Sequence, residues 1–420
     1  MQSAAVTHPL DPHFRRNVAG ISLVELLWGL GMPPIFESTF LQLFLHRLGA
    51  SSLLIGLIPT MAAAGGALSA LFAWSLTSGR ERKRTAVILV HAGAALPILI
   101  FGLVLGITGV GASTLGLFLA LYAIFSLAMG MVIPTWQNYI MKIFSEPRAV
   151  PAMAVMMVTQ SVAKLVGSLY LVRIVERYSF SAAGSAAVFI AAGLLFLGGS
   201  FPFLLTIEGP ALSMPRSSAV LFSASGRDAL RRVFAHRRFL LFLGTDLEFF
   251  ALSGVIAFYA NYATEFCGVD PALASGLFMA CMYLGGVLAN GLLGWANLLS
   301  LRMKYVLTKT AALAGLLLLI VDPAPWAFYA ASLVFGASRG TRSMVYTPSV
   351  KRISGQADAT LYFALSPILA LPFSTALPLL NGAFLDRFAP LGGGSFRIMF
   401  GGMALLSLCG LFFSWRMRRD

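Results

Sequence analysis

The chain is poor in charge. Only 11% of its 420 residues are Asp, Glu, Lys or Arg, against roughly 25% in a soluble domain. Hydrophobic residues reach 58% and the mean hydropathy is +0.84, a balance suited to lipid rather than water. Cysteine is scarce: Cys267, Cys281 and Cys409 lie far apart with no CxxC spacing, which points to free thiols rather than a disulfide framework or a metal site. Five histidines, with no HExxH, no GxSxG and no metal-spaced cluster, leave little material for a membrane-embedded enzyme. There is no GxxxxGK[ST] loop, so ATP drive within the chain is not expected. No catalytic residue, metal or cofactor is expected.

Acids are scarcer than bases, and the net charge is +14. The basic residues sit mostly in short gaps between apolar runs, so a membrane and not a nucleic acid is the partner they imply. These runs are roughly 17 to 30 residues long, enough for a helix to cross a bilayer core. They place spans near 20–45, 51–76, 86–108, 113–143, 150–174, 182–206, 239–264, 271–298, 305–321, 326–352, 360–385 and 395–415. With residue 1 inside, the inner gaps and termini hold twenty-one Lys and Arg and the outer gaps five. That asymmetry predicts cytoplasmic termini, and Arg15 and Arg16 before the first span agree with it.

The longest polar interruption, 207–238, predicts a cytoplasmic linker between two six-helix bundles, 20–206 and 239–416. Residues 1–19 and 417–420 are then cytoplasmic tails. Ser225–His236 reads either as a basic amphipathic helix on the inner leaflet or as a solvated linker. The halves repeat. Arg16 and Arg238 precede Glu25 and Glu248 by nearly equal distances, Trp74 and Trp295 each precede a lysine by nine, and Gly130 and Gly340 each precede a basic residue by twelve. Such a repeat places a binding site near mid-membrane between the halves.

Over nearly its whole length the sequence resembles the major facilitator superfamily, within a branch of bacterial permeases. The resemblance rests on Asp11-Pro-His-Phe-Arg-Arg-Asn17 before the first span and Leu48-Gly-Ala-Ser-Ser-Leu-Leu-Ile-Gly-Leu57 opening the second. The superfamily's Gly-x-x-x-Asp-Arg motif is degenerate here, reading Ala73-Trp-Ser-Leu-Thr-Ser-Gly-Arg-Glu-Arg-Lys-Arg84, with its acid position on Gly79. Arg80, Arg82, Lys83 and Arg84, with Arg302 and Lys304 in the gap after the eighth span, stand at the expected cytoplasmic gate without the usual acid. The resemblance implies an all-α fold of twelve membrane helices in two pseudo-symmetric bundles, with the first, fourth, seventh and tenth spans lining the central path.

Charge at mid-membrane is costly and invites a functional explanation. The candidates are Glu25 and Glu37 on the first span, Lys164 on the fifth, Asp246 and Glu248 on the seventh, and Arg339 and Arg342 on the tenth. Lys309 lies close enough to the inner end of the ninth span to snorkel. Arg339 and Arg342, three apart, share a helix face. They either hold an anionic group of a substrate or neutralise Asp246 and Glu248, and both readings stay open. Glu25, with only the deeper Lys164 in its own half, suits proton coupling, and Asp246 and Glu248 are further candidates. Glu37 reads as an outer-vestibule residue and His91 as a hydrogen-bonded bundle histidine. Trp136, Gln137 and Asn138 offer polar amides beside an aromatic face, suited to orienting a substrate. The expected function is a monomeric, proton-coupled secondary transporter of the bacterial inner membrane, moving a small anionic or zwitterionic solute. The alternatives are efflux of lipophilic cations, a non-transporting receptor and a membrane-embedded enzyme.

Overall fold

The computed structural model of the protein describes residues 11–36, 39–77, 82–144, 146–209, 231, 233–295, 298–355 and 360–416. Glu37, Arg80 and most of the linker, including Ser225–Asp228 of the suggested amphipathic helix, lie outside these residues. The fold is all-α, 88% helix, with no strand among the described residues. The first half holds α1 (Phe14–Gly31), α2 (Thr39–Arg47), α3 (Ser52–Thr77), α4 (Arg84–Thr108), α5 (Thr114–Ile143), α6 (Glu146–Tyr178) and α7 (Ala182–Gly198). The second half opens with α8 (Arg237–Thr245), α9 (Leu247–Ile256), α10 (Tyr259–Phe266) and α11 (Pro271–Ala289). It continues with α12 (Leu301–Val321), α13 (Pro325–Ser354), α14 (Thr360–Arg387) and α15 (Gly393–Arg416).

Ten helical stretches among the described residues are long and apolar enough to cross a bilayer. The expected first and tenth spans are not among them, for different reasons. The first is broken: α1 ends at Gly31 and α2 begins at Thr39, with Pro33-Pro34 between them, where a missing N–H and a fixed φ interrupt the helical ladder. The tenth is one continuous helix, α13, but it carries Arg339, Arg342, Lys351 and Arg352 along its length. The seventh span also differs from the single run expected, since it divides into α8, α9 and α10 without any proline. At the second of these breaks the Gln42 side chain of α2 donates Nε2–H to the Ile256 carbonyl at 2.5 Å. A side chain from another helix thus binds a carbonyl at the helix end, where the helix's own donors run out.

Two compact units form, each drawn from separated stretches of sequence. One comprises Met1–Met32, Gly65–Gly167 and Ser185–Arg216, and the other Pro33–Ala64, Ser168–Gly184 and Ser217–Asp420. The first is filled by aromatic contacts, with Phe101 edge-on to Phe118 and Phe189 and Trp28 stacked on Phe196 at 4.6 Å. In the second, Tyr262 is the hub for Phe328, Phe396 and Phe400. Within each unit, glycine allows one pair of helices to meet backbone to backbone. A Cβ on Gly130 of α5 would stand 2.8 Å from the Gly65 carbonyl carbon of α3, and one on Gly340 of α13 would stand 2.8 Å from Gly286 Cα of α11. Small residues at such crossings are how membrane helices gain packing without a hydrophobic driving force.

Candidate functional site

In the first unit a buried carboxylate meets an amide. Glu25 on α1 is 5% exposed, and its Oε2 accepts a hydrogen bond from Gln160 Nε2 of α6 at 2.5 Å. Lys164, one turn further along α6, attracts it through space, and the Trp136 indole of α5 approaches it while falling short of hydrogen-bond geometry. Among the described residues no cation forms an ion pair with Glu25. The structure therefore brings together Glu25, Lys164 and Trp136 from the sequence candidates and adds Gln160. It does not bring Gln137 into the group, because that side chain is exposed on α5, and Asn138 is half-buried.

In the second unit the charges pair. Asp246 Oδ2 accepts from Arg342 Nη2 at 2.6 Å, and Asp246 Oδ1 accepts from Tyr305 O–H at 2.5 Å and from Lys309 Nζ at 3.4 Å. Glu248 Oε2 accepts from the same Lys309 ammonium at 2.8 Å, and its Oε1 accepts from Ser338 Oγ at 3.0 Å. The expected snorkelling of Lys309 is thus overturned. The side chain is fully buried, because two carboxylates inside the bundle hold its ammonium better than a reach to the interface would. The two arginines also differ. Arg342 stands with its guanidinium carbon 3.9 Å from the Phe249 ring centre and 4.6 Å from that of Tyr346, and Arg339 stands 5.4 Å from Phe249. Such stacking suits a planar, weakly hydrated guanidinium. Arg342 Nε is buried and finds no acceptor among the described residues.

Where α4 begins in the first unit, Glu208 gathers the basic residues. Its carboxylate takes the Lys142 ammonium at 2.7 Å and the backbone N–H groups of Lys83 at 2.6 Å and Arg84 at 3.3 Å. It therefore caps α4, with the favourable charge for a helix N-terminus. Burial first, and then repulsion from Lys142, pull the Lys83 ammonium below the usual lysine range, while Glu208 opposes both. The Phe-Arg-Arg-Asn opening has a place here as well. Asn17 Nδ2 donates to the carbonyls of Ile143 and Ile207, both at 3.0 Å, and Arg16 Nε donates to the Leu205 carbonyl at 2.7 Å. Of the other expected gate residues, Arg82 and Arg302 are exposed and Lys304 is buried. His91 is buried with Nδ1 2.7 Å from the Val87 carbonyl, a bond within its own helix.

The residues missed in the sequence are Gln160, Tyr305, Ser338, Phe249 and Glu208, while Lys309 is read there only as a snorkelling residue. Two signals were present. Gln160 precedes Lys164 by four, and Tyr305 precedes Lys309 by four, so each pair shares a helix face. Glu208 carried no comparable signal, since it lies beyond its span and far in sequence from its partners.

The sequence profile described as the Major Facilitator Superfamily matches residues 31–347. No curated protein matches the sequence. Among solved structures, a bacterial homologue of the human lysosomal transporter Spinster is 15% identical, with 97% of each chain covered and a TM-score of 0.69. The nucleoside transporter NupG is 13% identical over 97% of this chain and 100% of its own, with a TM-score of 0.72. A bacterial homologue of the human drug peptide transporters PepT1 and PepT2 is also 13% identical, over 96% of this chain and 100% of its own, with a TM-score of 0.70. At such identities the structures show a shared fold, and the profile match over most of the chain shows descent. The chain belongs to the Major Facilitator Superfamily, and it is a multi-pass secondary transporter rather than an enzyme.

Proposed function

We propose that the protein moves a small anionic or zwitterionic solute across the bacterial inner membrane by alternating access, driven by protons that Glu25 binds and releases. The bundles 20–206 and 239–416 are the moving halves, both termini are cytoplasmic, and a single chain suffices. The observation that carries the coupling assignment is the contrast between the acids. Asp246 and Glu248 each have a cation within 3.4 Å, whereas Glu25 is held by a neutral amide. A carboxylate whose direct partner is a neutral amide, with Lys164 acting on it only through space, can change its protonation without breaking an ion pair. A carboxylate already paired with lysine or arginine cannot do so as cheaply.

For the solute, the supporting observation is the buried Nε–H of Arg342. A guanidinium whose other edge is already committed to Asp246 keeps one donor for a carboxylate or phosphate oxygen, with Arg339 on the same face. The neighbouring structures are transporters of chemically different solutes by their descriptions, so the substrate class rests on these side chains alone. Two measurements test the reading. In proteoliposomes, Glu25→Gln abolishes accumulation against a gradient and leaves counterflow; unchanged accumulation removes Glu25 from the mechanism. A thermal-shift screen of the purified protein against anions, amino acids, sugars and drugs returns anionic or zwitterionic hits. A hit set made up of lipophilic cations instead supports drug efflux with Glu25 as the attracting charge.

A further inference from the structure

The second unit contains a seam between α3 and α14 that neither the pairing of charges nor the proposed substrate site uses. It starts at the Leu48–Leu57 segment singled out in the sequence. There Gly49 turns the chain at φ +79°, and α3 begins at Ser52. A starting helix leaves its first N–H groups without intrahelical acceptors. Here the acceptors come from a residue more than three hundred positions away. The Ser52 N–H donates to Asp386 Oδ1 at 2.7 Å and the Leu53 N–H donates to Asp386 Oδ2 at 2.9 Å.

Asp386 lies in the last turn of its own helix, α14, where basic residues are favoured and an acid is opposed by the helix's own carbonyl ends. Its position is unfavourable for α14 and well matched to α3. The conflict is resolved only while the two helices touch.

Behind this contact the backbones meet at four-residue intervals. A Cβ on Gly382 would collide with the Ser52 carbonyl, and a Cβ on Gly56 would collide with that of Pro378. Two turns into α3, Thr60 Oγ1 donates to the Thr375 carbonyl at 2.9 Å. The seam therefore runs from Asp386 and Ser52 through Gly382, Gly56 and Pro378 to Thr60 and Thr375. Its helices come from opposite halves of the sequence, and its Asp386 end lies at the gaps that the charge sorting reads as outward. Hydrogen bonds to an ionised carboxylate are short-range and directional, so a small separation of α3 from α14 breaks both at once.

We infer that Asp386 is the gating residue of the outward end. Its carboxylate caps α3 in the outward-closed state, and loss of that cap lets α3 and α14 part to open the protein outward. The inference rests on the alternating-access and topology readings proposed above. Asp386 acts by positioning α3 and touches no solute.

The test uses intact cells and a background in which the three native cysteines are replaced. Thr60, 8% exposed, is changed to cysteine and reacted with an impermeant thiol reagent applied from outside. Asp386→Ala and Asp386→Asn raise the labelling rate at position 60 by about tenfold or more, because the closed state loses two charge-assisted bonds. Asp386→Glu, which keeps the carboxylate, stays near the parent rate. Labelling that is the same in parent, Asp386→Ala and Asp386→Asn overturns the inference, as does equal acceleration in Asp386→Glu. If Asp386→Ala is not recovered as a monodisperse protein in detergent, the Asn and Glu variants decide between the same outcomes. The labelling needs no solute. Flux with unresponsive labelling therefore retires the gate alone, and responsive labelling with no flux of any screened solute retires the substrate proposal alone.

Discussion

The Lys309 ammonium lies 2.8 Å from Glu248 Oε2, and neither side chain is more than 1% exposed. The same ammonium reaches Asp246 at 3.4 Å, so one lysine serves two carboxylates. Replacing it with a neutral residue strands the buried Glu248 carboxylate, while Asp246 keeps Arg342. Lys309→Met lowers unfolding stability by roughly 3–5 kcal/mol, the range for breaking a buried pair. The double variant Lys309→Met/Glu248→Gln recovers most of the loss. Chemical or thermal unfolding in detergent measures both, and a Lys309→Met protein as stable as the parent would contradict the pairing.

Arg342 belongs to Asp246 rather than to Glu248. The two acids therefore respond differently when the arginine is removed. Arg342→Ala is destabilised, Asp246→Asn in the same chain restores most of the stability, and Glu248→Gln restores little, since Glu248 keeps Lys309. Additivity should fail for the first pair and hold more nearly for the second. A double-mutant cycle with the opposite pattern would place the guanidinium elsewhere.

Glu208 holds the start of α4 and the Lys142 ammonium, so its loss is felt both in stability and at Lys83. Glu208→Gln removes the ion pair with Lys142 and weakens the cap on α4, at a cost of roughly 1.5–3 kcal/mol. Lys83 already titrates below the ordinary lysine range because of burial and the nearby Lys142. Loss of Glu208 lowers it further. An amine-directed reagent at mildly alkaline pH should then modify Lys83 faster in Glu208→Gln than in the parent. The sign for stability follows from the same shift. The unfolded chain holds the Lys83 proton to higher pH than the folded one, so this residue's contribution to folding improves as pH rises through its lowered pKa toward the usual lysine value. Slower modification in the variant would refute the electrostatic account.

The charge sorting of the gaps predicts that the turn between α10 and α11 faces outward. Cys267 lies in that turn and is free. With Cys281 and Cys409 replaced, Cys267 should react with an impermeant thiol reagent in intact cells, whereas a single cysteine at Ser217 in the linker should not. Burial pushes the Cys267 thiol above its ordinary pKa, so the thiolate fraction is small near neutrality and the labelling accelerates as pH is raised. The reverse pattern of labelling would invert the topology.

Much of this protein is legible before folding. Low charge and long apolar runs imply a helical membrane bundle, because lipid offers no partner for an unsatisfied backbone. The first span reads as unbroken over 20–45, although Pro33-Pro34 is an available signal for its break; the division of the seventh span has no such signal. No proline marks it, and its second break is occupied by Gln42, a residue more than two hundred positions away. The intramembrane charges were legible as a set and not as pairs. Lys309 looked like a snorkelling residue because depth along a helix was judged without knowing which way its side chain would turn.

Composition, run length and the distribution of lysine and arginine determined that the chain spans a membrane many times, because each depends only on local sequence and the dimensions of a bilayer. The superfamily was legible as a resemblance, through the span count, the charge sorting and the repeat of the two halves, with Asp11–Asn17 and Leu48–Leu57 narrowing it to a branch. Only the tertiary structure decided that Glu248 answers to Lys309, Asp246 to Arg342, Glu25 to Gln160, and the first turn of α3 to Asp386. A charge inside a bundle takes whichever partner the packing of distant helices brings within about 3 Å, and no local pattern encodes that distance.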